Sequence, residues 1–227
     1  MRASAAAALL LACALAMPTR AADNAPPTDI SVAERRLFVD NHFKDLRGKL
    51  GLDYVFEKRG TLEAPLDDTA RVEVGRAGAD GARSVQIDYL HGPHAVKLPS
   101  PGRVEGNPVI LFFLEREVRE MKRRTGGSEL YFRKRMRMAL ANAAELKPVK
   151  RRIGTREVDA LEIRIAPFRD DPMRSRYDAL ADKTYLLTLS EAVPGQVVEL
   201  STELTRPAAG GGSELVLSET LRFKGTH

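Results

Sequence analysis

The chain has 227 residues, 43% of them hydrophobic and 30% charged, with a formal net charge of +5 and a single cysteine, Cys13. A chain of this length can bury enough apolar surface to fold without disulfides. Beyond Cys13 it has no disulfide, no sulfur metal ligand and no cysteine nucleophile.

Arg2 is followed by an unbroken apolar run over residues 5–17, closed by Pro18. Thirteen apolar residues fall short of the roughly 20 that a membrane-spanning helix needs, so no transmembrane segment is read here. Thr19-Arg20-Ala21 is a small-x-Ala cleavage site, and residues 23–28 are polar and Pro-rich. The expectation is a secretory signal peptide over 1–22, cleaved near Ala21 or Ala22, an exposed linker over 23–30, and one domain over 31–227 working outside the cytoplasm. A lipoprotein signal competes, because Leu10-Leu11-Ala12 precedes Cys13. The apolar run continues past that cysteine to Met17, which favours the untethered form.

Ser31-Val32-Ala33-Glu34 fits a capping box, and Val39, Phe43, Leu46 and Leu50 follow at helical spacing, predicting an N-terminal helix. Residues 52–59 alternate, as do 70–75 and 84–90, the last two separated by Gly78-Ala79-Asp80-Gly81, which reads as a hairpin. Asn107-Pro108 then opens a helix over 109–122 with Ile110, Phe113, Leu114, Val118 and Met121 on one face. Glu115 with Arg119 and Glu120 with Arg124 are favourable i,i+4 pairs. Gly126-Gly127 ends it, and Ser128 caps a second helix over 129–146 whose stripe is Phe132, Met136, Ala139, Leu140 and Ala143.

Charge concentrates in this helical pair. Residues 116–152 hold thirteen Lys or Arg against four Glu, a local net of +9, while the rest of 23–227 holds twenty-one basic against twenty-seven acidic residues. The pair is a hairpin with an apolar inside and a basic outside, and Arg123, Arg124, Arg133, Lys134 and Arg137 are the candidate ligand- or partner-binding residues. The plainer alternative is a solvated helix face. Strands follow at 149–153, 158–165, 183–189, 197–204 and 214–223, giving about eight antiparallel strands. The expected class is α+β: a curved, half-barrel-like antiparallel sheet with an N-terminal helix and an inserted basic helical hairpin.

The segment over residues 107–140, NPVILFFLEREVREMKRRTGGSELYFRKRMRMAL, with the later APFRDDP and LSEAVPG, resembles exported proteins of Gram-negative bacteria that have no assigned function. That resemblance implies the periplasm and brings no activity. The order of leading helix, long strands, helical insertion and final meander is similar in topology to LolA-like open-barrel lipoprotein carriers, an analogy that carries over no functional residue.

No cofactor is expected. His91 and His94, three apart in a turn, are weak metal candidates that lack a third ligand. Asp170, Asp171, Asp178 and Asp182 lack the oxygen spacing of a calcium loop and have Arg169, Arg174 and Arg176 beside them. There is no Gly-x-Ser-x-Gly elbow, so an enzyme would need a site assembled across distant strands. Nucleic acid is not an expected partner, since no aromatic stacking platform accompanies the basic residues.

Three functions remain. A binder or carrier of a hydrophobic or lipid ligand predicts an apolar cavity of a few hundred cubic ångströms under the hairpin. An interaction module would dock the basic hairpin on an acidic envelope protein or anionic headgroups. An enzyme is the third.

Overall fold

A computed structural model describes residues 30–99 and 102–227. The expected signal peptide, Cys13 and the linker as far as residue 29 lie outside the described residues.

The first helix, α1, is Val32–Glu34, continued as a π-helical turn over Arg35–Val39. Strands β1 (Leu50–Arg59), β2 (Leu66–Ala77), β3 (Arg83–Tyr89) and β4 (Arg103–Val104) form one meander. Helices α2 (Val109–Thr125) and α3 (Glu129–Asn142) follow. A second meander is made of β5 (Glu145–Ile153), β6 (Arg156–Ile165), β7 (Thr184–Leu189), β8 (Val197–Pro207) and β9 (Ser213–Thr226), with the short helix α4 (Asp178–Ala181) between β6 and β7.

The nine strands among the described residues join in one antiparallel sheet of order β4-β3-β2-β1-β9-β8-β7-β6-β5. The two meanders meet at its centre, where Leu52 lies opposite Thr226 and Arg59 opposite Ser218. β4 and β5 are the edges, so the sheet stays open. The chain leaves one edge at β4 and re-enters at the other at β5, which makes the α2–α3 hairpin cross the inner face, against β3, β8 and β6. Register shifts in β1, β2, β7 and β8 mark bulges, which bend and twist strands and so curve the sheet around the helices.

Side chains alternate accordingly. Leu52, Tyr54 and Phe56 of β1, Val72 and Val74 of β2, Tyr185, Leu187 and Leu189 of β7, and Leu217 and Leu221 of β9 point inward and are buried. They meet Ile110, Phe113, Val118 and Met121 of α2 and Phe132, Met136 and Leu140 of α3. Each large apolar side chain buried there contributes about 1.5–3 kcal/mol.

The expected class is the observed one, with corrections in detail. A ninth strand, β4, is only two residues long and carries too short a pattern to read. The N-terminal helix stops at Val39 rather than running to Leu50. Asp40 is already extended (ψ 141°), and the Asn41 side chain accepts from the Phe43 amide at 2.9 Å, a local turn that competes with the helix. Phe43 and Leu46 still face the core, from turns rather than from a helix. Buried Arg83 satisfies that segment by donating to the carbonyls of Gly48 (2.8 Å), Gly75 (2.9 Å) and Leu46. Helix α3 ends at Asn142, leaving Ala143 exposed and outside the stripe, because the chain turns there into edge strand β5. Ser128 holds the N-cap position without a side-chain capping bond, whereas Gly126 closes α2 at φ 70°, a left-handed conformation that suits glycine.

Candidate functional site

Among the described residues, buried side chains of the sheet and of α2 and α3 pack together under the hairpin. At the centre of this packing lies a cluster of charge. Arg116 and Glu117 of α2, Lys183 just before β7 and Glu219 of β9 are all 5% exposed or less. Arg116 donates to Glu117 and to Glu219, both at 3.1 Å, and Lys183 donates to Glu117 at 2.5 Å and to Glu219 at 3.3 Å. The Arg116 guanidinium also lies 4.7 Å over the Phe56 ring, an attractive placement for a desolvated cation. Burial would raise the Glu219 carboxyl, but the Lys183 and Arg116 charges hold it well below the usual range. Burial and the Glu219 charge push Glu117 up to about 8. The cluster ties the hairpin to the sheet.

A ligand-sized, largely apolar surface lies on the other side of the hairpin. α1 packs against α3, where the Ser31 hydroxyl donates to the Leu140 carbonyl at 3.0 Å while its own capping box with Glu34 is closed at both ends. Between α1, α2 and α3 an open groove of about 410 Å³ remains. Leu114, Val118, Met136 and Leu140 form its floor. Ile30, Phe38, Val39 and Leu111 form its walls, and these four are 47–53% exposed. Glu34, Glu115, Arg133 and Arg137 stand at the rim. The volume lies within the roughly 300–1,000 Å³ typical of ligand sites. A larger depression of about 730 Å³ beside β6 sets Val158, Leu161 and Leu189 among Arg36, Arg156, Glu157, Asp159 and Glu191, and is the more polar of the two.

The start of α2 is held by a buried hub. The Asn107 side chain donates to the Tyr54 hydroxyl (2.8 Å) and the Gly195 carbonyl (2.9 Å) and accepts from the Val109 amide (3.2 Å). Its backbone amide donates to His42 Nδ1 at 2.9 Å, so His42 carries its proton on Nε2, 2.8 Å from the Arg36 carbonyl. Burial lowers the His42 pKa and keeps it neutral.

The five candidate cations divide into two groups. Arg123 and Arg124 converge with Lys58 on Glu63, and both also reach Glu120. Burial would raise Glu63; the hydrogen bonds from Arg123 and Lys58 and the Arg124 charge bring it down to about 2. Arg133 is bidentate to Glu115 (2.8 and 2.5 Å) and also reaches Glu129 at 2.9 Å. Lys134 and Arg137 are exposed, and among the described residues their side chains have no hydrogen-bond or ion-pair partner. His91 lies 2.6 Å from Asp68, and no group of three metal-binding side chains exists among the described residues. In the acidic loop Asp171 is paired with Arg135 (2.7 Å) and Asp182 with Arg174 (2.8 Å). Among the described residues no helix is long and apolar enough to cross a membrane.

The fold and groove define a class: an open antiparallel half-barrel with an apolar groove on its helical side. No protein-family model and no curated protein matches the chain. Among solved structures it is similar to the Mycobacterium tuberculosis lipoprotein LppX, at 14% identity over 76% of this chain and 84% of that one, with a TM-score of 0.32. A DUF1329 family protein from Desulfovibrio piger shares 11% identity over 81% and 86% of the two chains (TM-score 0.27). A LolA superfamily protein from Nitrosomonas europaea shares 8% over 82% and 88% (TM-score 0.19). Likeness of this degree carries no ligand, activity or location to the chain.

Proposed function

We propose that this protein is a non-enzymatic binder or carrier of a hydrophobic, lipid-like ligand in the periplasm of a Gram-negative bacterium. The observation that carries the reading is the groove of about 410 Å³ between α1, α2 and α3, with its apolar floor and four half-exposed apolar walls. Exposed apolar side chains gathered in one concave patch mark a binding surface more often than scattered ones do. Arg137 at the rim has no carboxylate partner among the described residues and supplies a cation for an anionic end of the ligand. The ligand site lies beside the hairpin, since the space beneath it holds the packed core.

Titration of the protein with a dansyl-labelled fatty acid tests this. Saturable one-to-one binding is expected, weakened about tenfold or more by Leu111→Asp and by Phe38→Asp, since each removes apolar contact of roughly 1.5–3 kcal/mol. Both positions are half exposed, so the variants fold. Equal affinity in wild type and both variants removes the proposal.

A further inference from the structure

The outward face of α3 is unusual for a solvated helix. Phe132, Met136, Ala139 and Leu140 are buried, and the positions opposite them on a 3.6-residue helix are Leu130, Lys134, Arg137 and Met138. Leu130 is 74% exposed, more than any other large hydrophobic side chain among the described residues, and Met138 is 43% exposed. No carboxylate of α3 shares this face. The nearest, Glu129, is engaged by Lys122 and Arg133 at 2.9 Å each. The other three candidate cations, Arg123, Arg124 and Arg133, are all neutralised by carboxylates. The surplus positive charge of the hairpin is therefore exposed where two large apolar side chains are exposed too.

We infer that this face of α3 docks on an anionic phospholipid surface. Leu130 and Met138 enter the boundary between headgroups and acyl chains, and Lys134 and Arg137 meet lipid phosphates. A helix of this kind lies in the plane of the interface, held by apolar insertion together with attraction to anionic lipid. A soluble acidic partner would complement Lys134 and Arg137 but would leave Leu130 without an apolar environment, so lipid is the occupant that satisfies both. The groove gives the docking its purpose: Arg137 belongs to the docking face and to the groove rim alike, so docking brings the groove mouth to the bilayer. The docking itself stands on α3 alone.

The test uses vesicles of phosphatidylcholine, with and without phosphatidylglycerol, and the full chain. Because the chain contains no tryptophan, Leu130→Trp places one reporter at the centre of the face. The expected results are a blue shift of the indole emission on vesicles containing phosphatidylglycerol, and co-sedimentation that weakens about fivefold for each of Lys134→Gln and Arg137→Gln and falls with salt. Both charge variants are at exposed positions, and unchanged circular dichroism verifies their fold. An unshifted indole emission from the Leu130→Trp variant on the anionic vesicles overturns the inference, as does equal sedimentation of the double charge variant and wild type. Displacement from vesicles by polyglutamate without change in the indole emission overturns it in favour of an acidic protein. The fatty-acid titration, made without vesicles, reports on the groove independently, so either reading can fail alone.

Discussion

Replacing Glu219 by Gln removes the carboxylate shared by the two buried cations, Arg116 at 3.1 Å and Lys183 at 3.3 Å, and changes neither volume nor shape. With all four members of the cluster buried, water cannot replace the lost charge. Removing one partner from a buried ion network leaves uncompensated charge and costs about 3–5 kcal/mol. With a urea dependence of about 2 kcal/mol per molar, the unfolding midpoint falls by roughly 2 M. Glu117→Gln behaves differently. Its carboxyl is pushed up by burial and by the Glu219 charge, so Glu117 gives up its negative charge more readily than Glu219 does, and the cost of the amide is smaller. The sign of its pH dependence follows. A carboxyl raised in the folded state contributes stability below its unfolded pKa of about 4.5, lost as pH rises through about 8. Glu117→Gln therefore gains on wild type between pH 6 and pH 9. Urea unfolding followed by circular dichroism at both pH values decides the matter. A Glu219→Gln midpoint within about 0.5 M of wild type, or a Glu117→Gln cost equal to it at pH 7, refutes the reasoning.

Asn107→Ala strands the Tyr54 hydroxyl and the Gly195 carbonyl in the core. At about 1–3 kcal/mol per unsatisfied group, melting measured by scanning calorimetry falls by roughly 6–12 °C; a fall under about 2 °C is inconsistent with the hub. His42 is held neutral by burial, so its contribution is intact above its unfolded value near 6.5 and is lost progressively below that pH. Its ring protons should titrate at a lower pH than those of a free imidazole in an NMR titration. Gly60 has φ 125°, and an added Cβ would lie 2.3 Å from the Val216 carbonyl oxygen. Gly60→Ala should cost about 2 kcal/mol in urea unfolding, and a neutral result would show that the β1 end can shift.

The order of elements was legible because most of this sheet has one wet face, so alternation at Leu52, Tyr54 and Phe56 separates inside from outside. The hairpin was legible for the same reason, through the stripe from Ile110 to Met121. The N-terminal helix was misjudged because Phe43 and Leu46 are apolar for the core's sake, and spacing alone does not distinguish a turn that faces the core from a helix that does.

The charge cluster was missed although its positions announce it. Glu117 sits three residues after Leu114 and four before Met121, inside the apolar stripe of α2, and Glu219 sits between inward Leu217 and Leu221. Reading 116–152 as a block of net charge hid the fact that Arg116 belongs to the interior. The groove depends on how α1 lies against α2 and α3, and no periodicity reports that. The docking face left one sequence signal, Leu130 and Met138 on the polar side of α3, four residues to either side of Lys134. The segment LSEAVPG supplies the Gly195 carbonyl to Asn107, and APFRDDP supplies buried Phe168 and the Asp171 that pairs with Arg135.

The seam between β1 and β9 has a kinetic consequence. It joins the first to the last strand among the described residues, so the middle of the sheet cannot assemble until β9 has been made and delivered. Contacts between such distant residues demand a large loop closure and form slowly. Until then the N-terminal meander waits with β1 as a bare edge, ten residues long, open to pairing with any neighbouring chain. Removal of β9 from Ser218 onward would leave that edge exposed for good, so β9 guards β1 against aggregation.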